Sequence, residues 1–236
     1  MPRVLPVVTA LLCAACTGEI LGGVDPPDAG GVTDGRPAPD AMLAADAAGG
    51  LLPGPLLGAY KLTYYYVAEE SMYTGADDTG LYDLDCNLLS MVPAAFERAV
   101  AIEGTGKLVD GRVFNYSGAC SCPTSPCYHF VDEAHPWGSG SGNRPLVPFR
   151  SVAVDRNVLV IGRKYWVKEL EGVRMPGEAP LGGWIHDGCV SADDTGGGID
   201  GMHIDFFSAL RGYYLTLAGQ VQRSEITLHE AGEKCP

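Results

Sequence analysis

Residues 193–205 read DDTGGGIDGMHID, four aspartates and four glycines in thirteen positions. Asp194 and Asp205 stand at the two ends of a turn followed by a strand. Gly196, Gly197 and Gly198 allow unusual backbone angles and close approach of a ligand. Ile199, Met202, Ile204 and Phe206 supply apolar anchors after them. If the turn folds so that the two carboxyls meet, their mutual repulsion pushes one pKa up and makes a proton donor near neutral pH. Cleavage of a sugar–sugar bond needs such a group to protonate the leaving oxygen. The competing readings are a solvated acidic turn and a calcium loop of the D-x-D type. An EF-hand is excluded, because neither the D-x-[DN]-x-[DN]-G pattern nor its distal Glu is present. On local sequence alone the solvated turn comes first.

Other side chains around this segment carry the same two-sided reading. His203 lies two residues before Asp205, so in a strand both face one side. It either orients the acid or is a surface histidine. His186 and Asp187 can line the same cleft, or form a turn stapled by Cys189. Trp166 sits mid-strand and reads as core, whereas Trp137 and Trp184 lie in Gly-rich loops and are candidates for stacking on sugars.

The elements that must position these residues read as strands. YKLTYYYV, SVAVD, NVLVI, KYWVKEL, GYYLTL and SEITLHE are short, rich in β-branched and aromatic residues, and bounded by turn formers. Residues 93–100 (PAAFERAV) read as helix with a first-turn proline, and a strand through Ala99–Glu103 is equally arguable. There is no repeat of fixed period. The 236-residue chain is 46% hydrophobic, with 32 Gly and 17 Pro, which favours an all-β domain with many turns. A net charge of -13 without a Lys/Arg cluster argues against nucleic acid as a partner. No apolar run reaches the roughly eighteen residues that span a bilayer.

The N-terminus MPRVLPVVTALLCAAC has one early cation and a short apolar stretch ending in small residues, a secretory signal pattern. LCAAC resembles a bacterial lipobox. It predicts a signal peptide over residues 1–15 and lipidation of Cys16, which would anchor the chain at a membrane of the cell envelope, on the outer membrane by expectation. The alternative is a plain secreted protein cut nearby, or an uncleaved anchor. Residues 16–58 are dominated by Gly, Pro, Ala and Asp, hold no aromatic residue, and read as a flexible linker. A packed arm is open only at residues 51–57. The folded domain is expected over residues 59–236. Cys86, Cys120, Cys122, Cys127, Cys189 and Cys235 form an even set in an exported chain. They are expected to form disulfides, with fifteen pairings open. A metal site from Cys120, Cys122, Cys127 and His129 is the lesser reading, so no metal is expected.

ADDTGGGIDGMHIDFF resembles the signature of the three-aspartate (3D) domain family, the double-psi β-barrel module shared with membrane-bound lytic transglycosylase A. The family pattern is roughly D-x-G-G-A-I-K-G-x-x-x-D. Asp194, Gly196, Gly197, Ile199, Gly201 and Asp205 match it in register. FRSVAVDRNVLVIGRKYWVKEL is similar to the family segment S-I-A-V-D-P-x-V-I-P-L-G-T-x-V-Y-V, which places the third aspartate at Asp155. The similarity spans about residues 60–230 and is densest over 149–206.

The resemblance implies a six-stranded double-psi β-barrel with long disulfide-stapled loops. It also implies a lytic transglycosylase acting on peptidoglycan glycan strands without a cofactor, as a monomer. Asp205 would be the catalytic acid, Asp194 its neighbour tuning the pKa, and Asp155 the third acid, in the site or in a structural role. Thr195, Gly196, Gly197, Asp200, His203 and Trp184 would face the sugar. Two positions depart from the pattern: its lysine is Asp200 here and its alanine is Gly198. A third carboxylate beside two acids would raise their pKa values if close. An additional substrate-gripping domain is not evident in the sequence, which predicts a shallow groove. Function belongs to the site rather than the fold, so a non-catalytic glycan-binding module and an exported structural barrel remain alternatives.

Overall fold

A computed structural model describes residues 50–236. The predicted signal peptide, Cys16 and the linker up to residue 49 lie outside the described residues. The elements run β1 (Leu56–Glu69), β2 (Thr79–Tyr82), β3 (Leu88–Val92), α1 (Ala94–Glu103), β4 (Thr105–Lys107), β5 (Val113–Gly118), β6 (Cys127–Phe130), β7 (Ser151–Val154), β8 (Lys164–Val167), β9 (Cys189–Asp194), β10 (His203–Leu210), α2 (Arg211–Val221) and β11 (Glu225–Glu230). The fold is thus predominantly β, as expected, with two α-helices among the described residues.

The long strand β1 organises everything else. Its first half alternates, with Tyr60 and Leu62 buried between exposed Ala59 and Lys61, as a half-buried strand should. It pairs antiparallel with β11 and parallel with β10. β10 pairs with β7, β7 with β9, β9 with β8, and β8 with β11. The series β10-β7-β9-β8-β11-β1 therefore returns to its first strand. Leu62, Val152, Val154, Val167, Val190, Ile204, Phe206, Ile226 and Leu228, drawn from all six, pack into one core.

The chain between β1 and β7 builds a second lobe. The far end of β1 pairs with β4, which continues into β5 and β6, while β2 and β3 form a separate hairpin. Leu81, Val92, Phe96, Val100, Phe114 and Tyr128 form its own core. Residues 93–100 belong to a helix: Pro93 precedes the first turn of α1, and Gly104, at φ 81°, stops it by donating its N–H to the Val100 carbonyl. Disulfides Cys86–Cys122 and Cys120–Cys127 staple this lobe, and Cys189–Cys235 ties the start of β9 to the C-terminus.

Three local expectations are corrected. GYYLTL lies in α2, because Tyr213, Leu217 and Val221 recur at helical spacing against the core. That packing overrides the strand preference of its aromatics. NVLVI is a turn: the Asp155 carboxylate accepts from the backbone N–H of Asn157, its carbonyl accepts from Val158 and Leu159, and only Leu159 is buried. The folded region also begins before residue 59. Gly54 donates to the Glu230 carbonyl at 3.0 Å and Leu52 to the Glu233 carboxylate at 3.2 Å. The arm open at residues 51–57 is therefore present. A Cβ on Gly54 would stand 2.9 Å from the Glu230 carbonyl oxygen, so this approach needs glycine.

Candidate active site

A cleft of about 490 Å³ lies between the two lobes. One wall comes from the strand ring: Tyr65 on β1, Ala153 on β7, Asp194 to Gly197 at the end of β9, and Asp205 on β10. The other comes from the second lobe, with Glu103, Thr105, Tyr116 and Ser141 among its residues. The expected shallow groove is thus corrected: residues 101–141 raise a second wall above the acids.

The two aspartates are brought together by an intervening strand, not by the glycine turn between them. Ala153 on β7 pairs with Asp205 on one side and Asp194 on the other. The acids therefore flank one small residue on neighbouring ladders. A bulge makes this possible. Val152 pairs with Ala192 and Ala153 with Asp194, so Asp193 is skipped. Its buried carboxylate instead accepts from the hydroxyls of Ser151 at 2.7 Å and Ser191 at 2.8 Å. Without the bulge Asp193 would stand opposite Ala153 and Asp194 would point away.

β1 supplies the partners. In the parallel register Thr63 faces Asp205 and Lys61 faces His203. The Thr63 hydroxyl donates to Asp205 Oδ1 at 2.6 Å and lies 2.8 Å from His203 Nε2. Its single hydrogen goes to the carboxylate, so the imidazole donates through Nε2. His203 and Asp205 do share a face, and Thr63 links them. Tyr65 donates its hydroxyl to Asp194 Oδ2 at 3.2 Å, and the Thr195 N–H caps Oδ1 at 2.8 Å.

Burial raises the Asp205 pKa to about 6, with the Asp194 charge adding and the Thr63 hydrogen bond opposing. Burial likewise lifts Asp194 to about 6, where the Asp193 charge adds and the hydrogen bonds to Asp194 oppose. Burial drives Tyr65 far above its ordinary range, so it remains a donor.

A third acid faces the cleft from the other lobe. Glu103 is the last residue of α1, and its carboxylate accepts the Tyr66 N–H at 3.1 Å. Tyr66 sits at the register shift between Tyr65 and Val67, where the β1–β10 ladder is interrupted. Burial raises Glu103 to about 7, and the Asp205 charge adds to this.

Of the predicted site residues, the cleft gathers Asp194, Thr195, Gly196, Gly197 and Asp205. Asp155 lies outside it. Its carboxylate accepts from Gly201 N–H at 2.8 Å and from Asn157, bonds that hold its pKa below the usual range. It pins the turn between β9 and β10 at Gly201, whose φ of 65° is the left-handed region. Gly196, Gly197 and Gly198 do not take positive φ, so the conformational need falls on Gly201. Asp200 is exposed on that turn and does not line the cleft.

Trp184 is not brought to the cleft. It packs on His186 and Phe149, with the Arg150 guanidinium 4.7 Å from its ring. His186 is buried and neutral. It accepts from Gly188 N–H and donates to the Phe149 carbonyl, and burial lowers its pKa to about 4. Asp187 pairs with Arg150. Both residues brace the ring. The sulfurs of Cys120, Cys122 and Cys127 lie within 4.8 Å of one another, but each is bonded to another sulfur and offers no thiolate.

Sequence reasoning passed over Thr63, Tyr65, Glu103 and Arg156. Thr63 and Tyr65 lie within an aromatic strand that reads as core. For Glu103 a signal existed: an acid in the last helical turn before Gly104 opposes the helix dipole.

The fold and cleft define a two-lobed, acid-lined site. The family model of the 3D domain matches residues 150–228. The curated proteins yield no match. Among solved structures the chain is similar to MltA of E. coli with bound chitohexaose, at 13% identity and a TM-score of 0.49, covering 73% of this chain and 71% of that one. It is also similar to a membrane-bound lytic murein transglycosylase from Agrobacterium tumefaciens, at 13% identity and a TM-score of 0.46, covering 73% of each chain. A third is the lytic transglycosylase LtgG of Burkholderia pseudomallei, at 16% identity and a TM-score of 0.40, covering 72% and 70%.

Proposed function

We propose that the protein cleaves the β-1,4 bond between N-acetylmuramic acid and N-acetylglucosamine in peptidoglycan, as a lytic transglycosylase. The observation that carries this reading is the pair Asp205 and Asp194 in one cleft. Burial holds each near 6, so a carboxylic acid is available close to neutral pH. In this reading protonated Asp205 gives its proton to the glycosidic oxygen as the bond to muramyl C1 breaks. The carboxylate then takes the proton of the muramyl 6-hydroxyl as O6 bonds to C1. The products are a 1,6-anhydro end and a free N-acetylglucosamine 4-hydroxyl, with Asp205 reprotonated and no water consumed. Thr63 engages Oδ1, which leaves Oδ2 to carry the proton. Asp194 keeps its hydrogen bonds to Tyr65 and Thr195, and its negative charge opposes ionisation of Asp205. Thr195 and the backbone of Gly196 and Gly197 offer donors to the sugar.

The same proposal takes the closed strand series as a six-stranded barrel of the double-psi type. It also places the domain in the cell envelope, tethered through a lipid on Cys16. Three disulfides support an oxidising compartment.

The test is incubation of the full chain and of Asp205→Asn with purified peptidoglycan, with soluble products read by mass spectrometry. Anhydro-muropeptides from the wild type alone are expected. Products with ordinary reducing ends would mean hydrolysis instead. Retention of the glycan without products would mean a binding module.

A further inference from the structure

Arg156 is the one cation among the described residues that line the cleft. It follows β7 directly, in the turn that Asp155 organises. Its guanidinium donates to Thr195 Oγ1 at 3.2 Å and to Ser141 Oγ at 3.4 Å, one hydroxyl from each wall. Hydroxyls orient a charge without neutralising it. Among the described residues no carboxylate lies within 4.0 Å of it. The acids beside it are committed elsewhere: Asp155 to Gly201 and Asn157, Asp194 to Tyr65 and Thr195. Arg156 is exposed at the rim, and a guanidinium has five N–H donors, so most remain free. In the segment pattern S-I-A-V-D-P this position is proline, so the arginine belongs to this chain.

The rest of the cleft is poor ground for an anion. Asp194, Asp205 and Glu103 face it, and each repels a negatively charged ligand when ionised, whereas Arg156 attracts one. Thr195, which holds the guanidinium, is also the residue whose N–H caps Asp194. An anion held by Arg156 would therefore sit on a sugar close to the acid pair.

We propose that Arg156 forms a carboxylate subsite, which makes the cleft select glycans bearing a carboxylate next to the scissile bond over neutral ones. This rests on the glycan-cleaving reading. In peptidoglycan the carboxylate has two sources, the lactyl group of muramic acid in peptide-free strands and the carboxyls of the stem peptide. A planar fork suits either.

The experiment measures binding to the full chain carrying Asp205→Asn, which stops turnover, with and without Arg156→Gln or Arg156→Lys. The probes are a neutral N-acetylglucosamine hexamer, peptide-free glycan strands and peptide-bearing strands. Arg156→Gln should weaken the carboxylate-bearing strands about tenfold, the scale of one charge-assisted hydrogen bond. It should leave the neutral hexamer within about twofold, which also reports an intact fold. Arg156→Lys should recover part of the loss, and added salt should shrink the difference. Loss with peptide-free strands assigns the lactyl carboxylate; loss confined to peptide-bearing strands assigns the stem. Equal loss on all three probes would overturn the proposal, leaving Arg156 as a brace for Thr195. No loss on any would overturn it as well. Failure of the Asp205→Asn protein to bind any of the three would instead remove the glycan reading, and the subsite with it.

Discussion

Asp205→Asn should stabilise the protein at alkaline pH and lose that advantage in acid, whatever the substrate is. The folded Asp205 has a pKa of about 6 against an ordinary 3.8, chiefly because it is buried. Well below pH 3.8 the group is neutral in the folded and unfolded chain alike, and its contribution to stability is fully present. As pH rises the unfolded chain releases its proton first. The folded state then holds more protons, and stability falls until the folded group ionises near 6. A difference of roughly 2 pKa units corresponds to about 3 kcal/mol, an upper figure because the group keeps some exposure. Asparagine is nearly isosteric, can still accept from Thr63, and never ionises. Urea unfolding of both proteins at pH 4, 6 and 8, with the disulfides intact, isolates the effect, since pH-independent costs of the substitution cancel in the comparison. The variant should gain about 2–3 kcal/mol on the wild type between pH 4 and pH 8, with most of the change between 4 and 6. A difference in stability that does not vary with pH would refute the premise that the fold holds this carboxyl neutral, and the general-acid role with it.

Thr63→Val removes the hydrogen bond that opposes the rise of Asp205, worth about 1.5–3 kcal/mol to a charged acceptor. The alkaline limb of the pH–rate profile on peptidoglycan should move up by about 1–2 units, whereas Thr63→Ser should leave it in place. Replacing Cys189 and Cys235 together by serine opens a staple with a sequence separation of 46. Chain entropy predicts a loss of up to about 4 kcal/mol, read as a lower urea midpoint with a steeper slope, because the unfolded chain without the staple is more expanded.

The sequence carried the ring strands well where both faces are constrained. SVAVD, KYWVKEL and SEITLHE each hold strand residues, because β-branched runs bounded by turns have few other uses. GYYLTL misled because its aromatic content is compatible with both states, and only the core facing Leu217 and Val221 decides. Asp194 and Asp205 were legible as a pair, but the way they meet was not. Local spacing suggested a hairpin-like turn, whereas their shared place in the cleft depends on β7, roughly forty to fifty residues upstream, threading between their strands. The second wall was hidden for a similar reason. Residues 111–150 look irregular in sequence, yet β5 and β6 lie there, held by Phe114, Tyr128 and two disulfides. Nothing local tells that Glu103 will reach a bulge in β1.

Asp200 tests how far a departure from a family pattern should be read as loss of chemistry. A carboxylate in place of lysine, if set against the acid pair, would change the field at both. The turn held by Asp155 and Gly201 instead leaves Asp200 exposed and outside the cleft. Its charge works there through water, where interactions fade within about 8 Å at physiological salt. What it does reach is His203, whose pKa burial and Lys61 lower and Asp200 raises. His203 touches Asp205 only through the Thr63 hydroxyl. The substitution therefore bears on the protonation of the histidine next to Thr63, while the elevated pKa of Asp205 comes from burial and from Asp194.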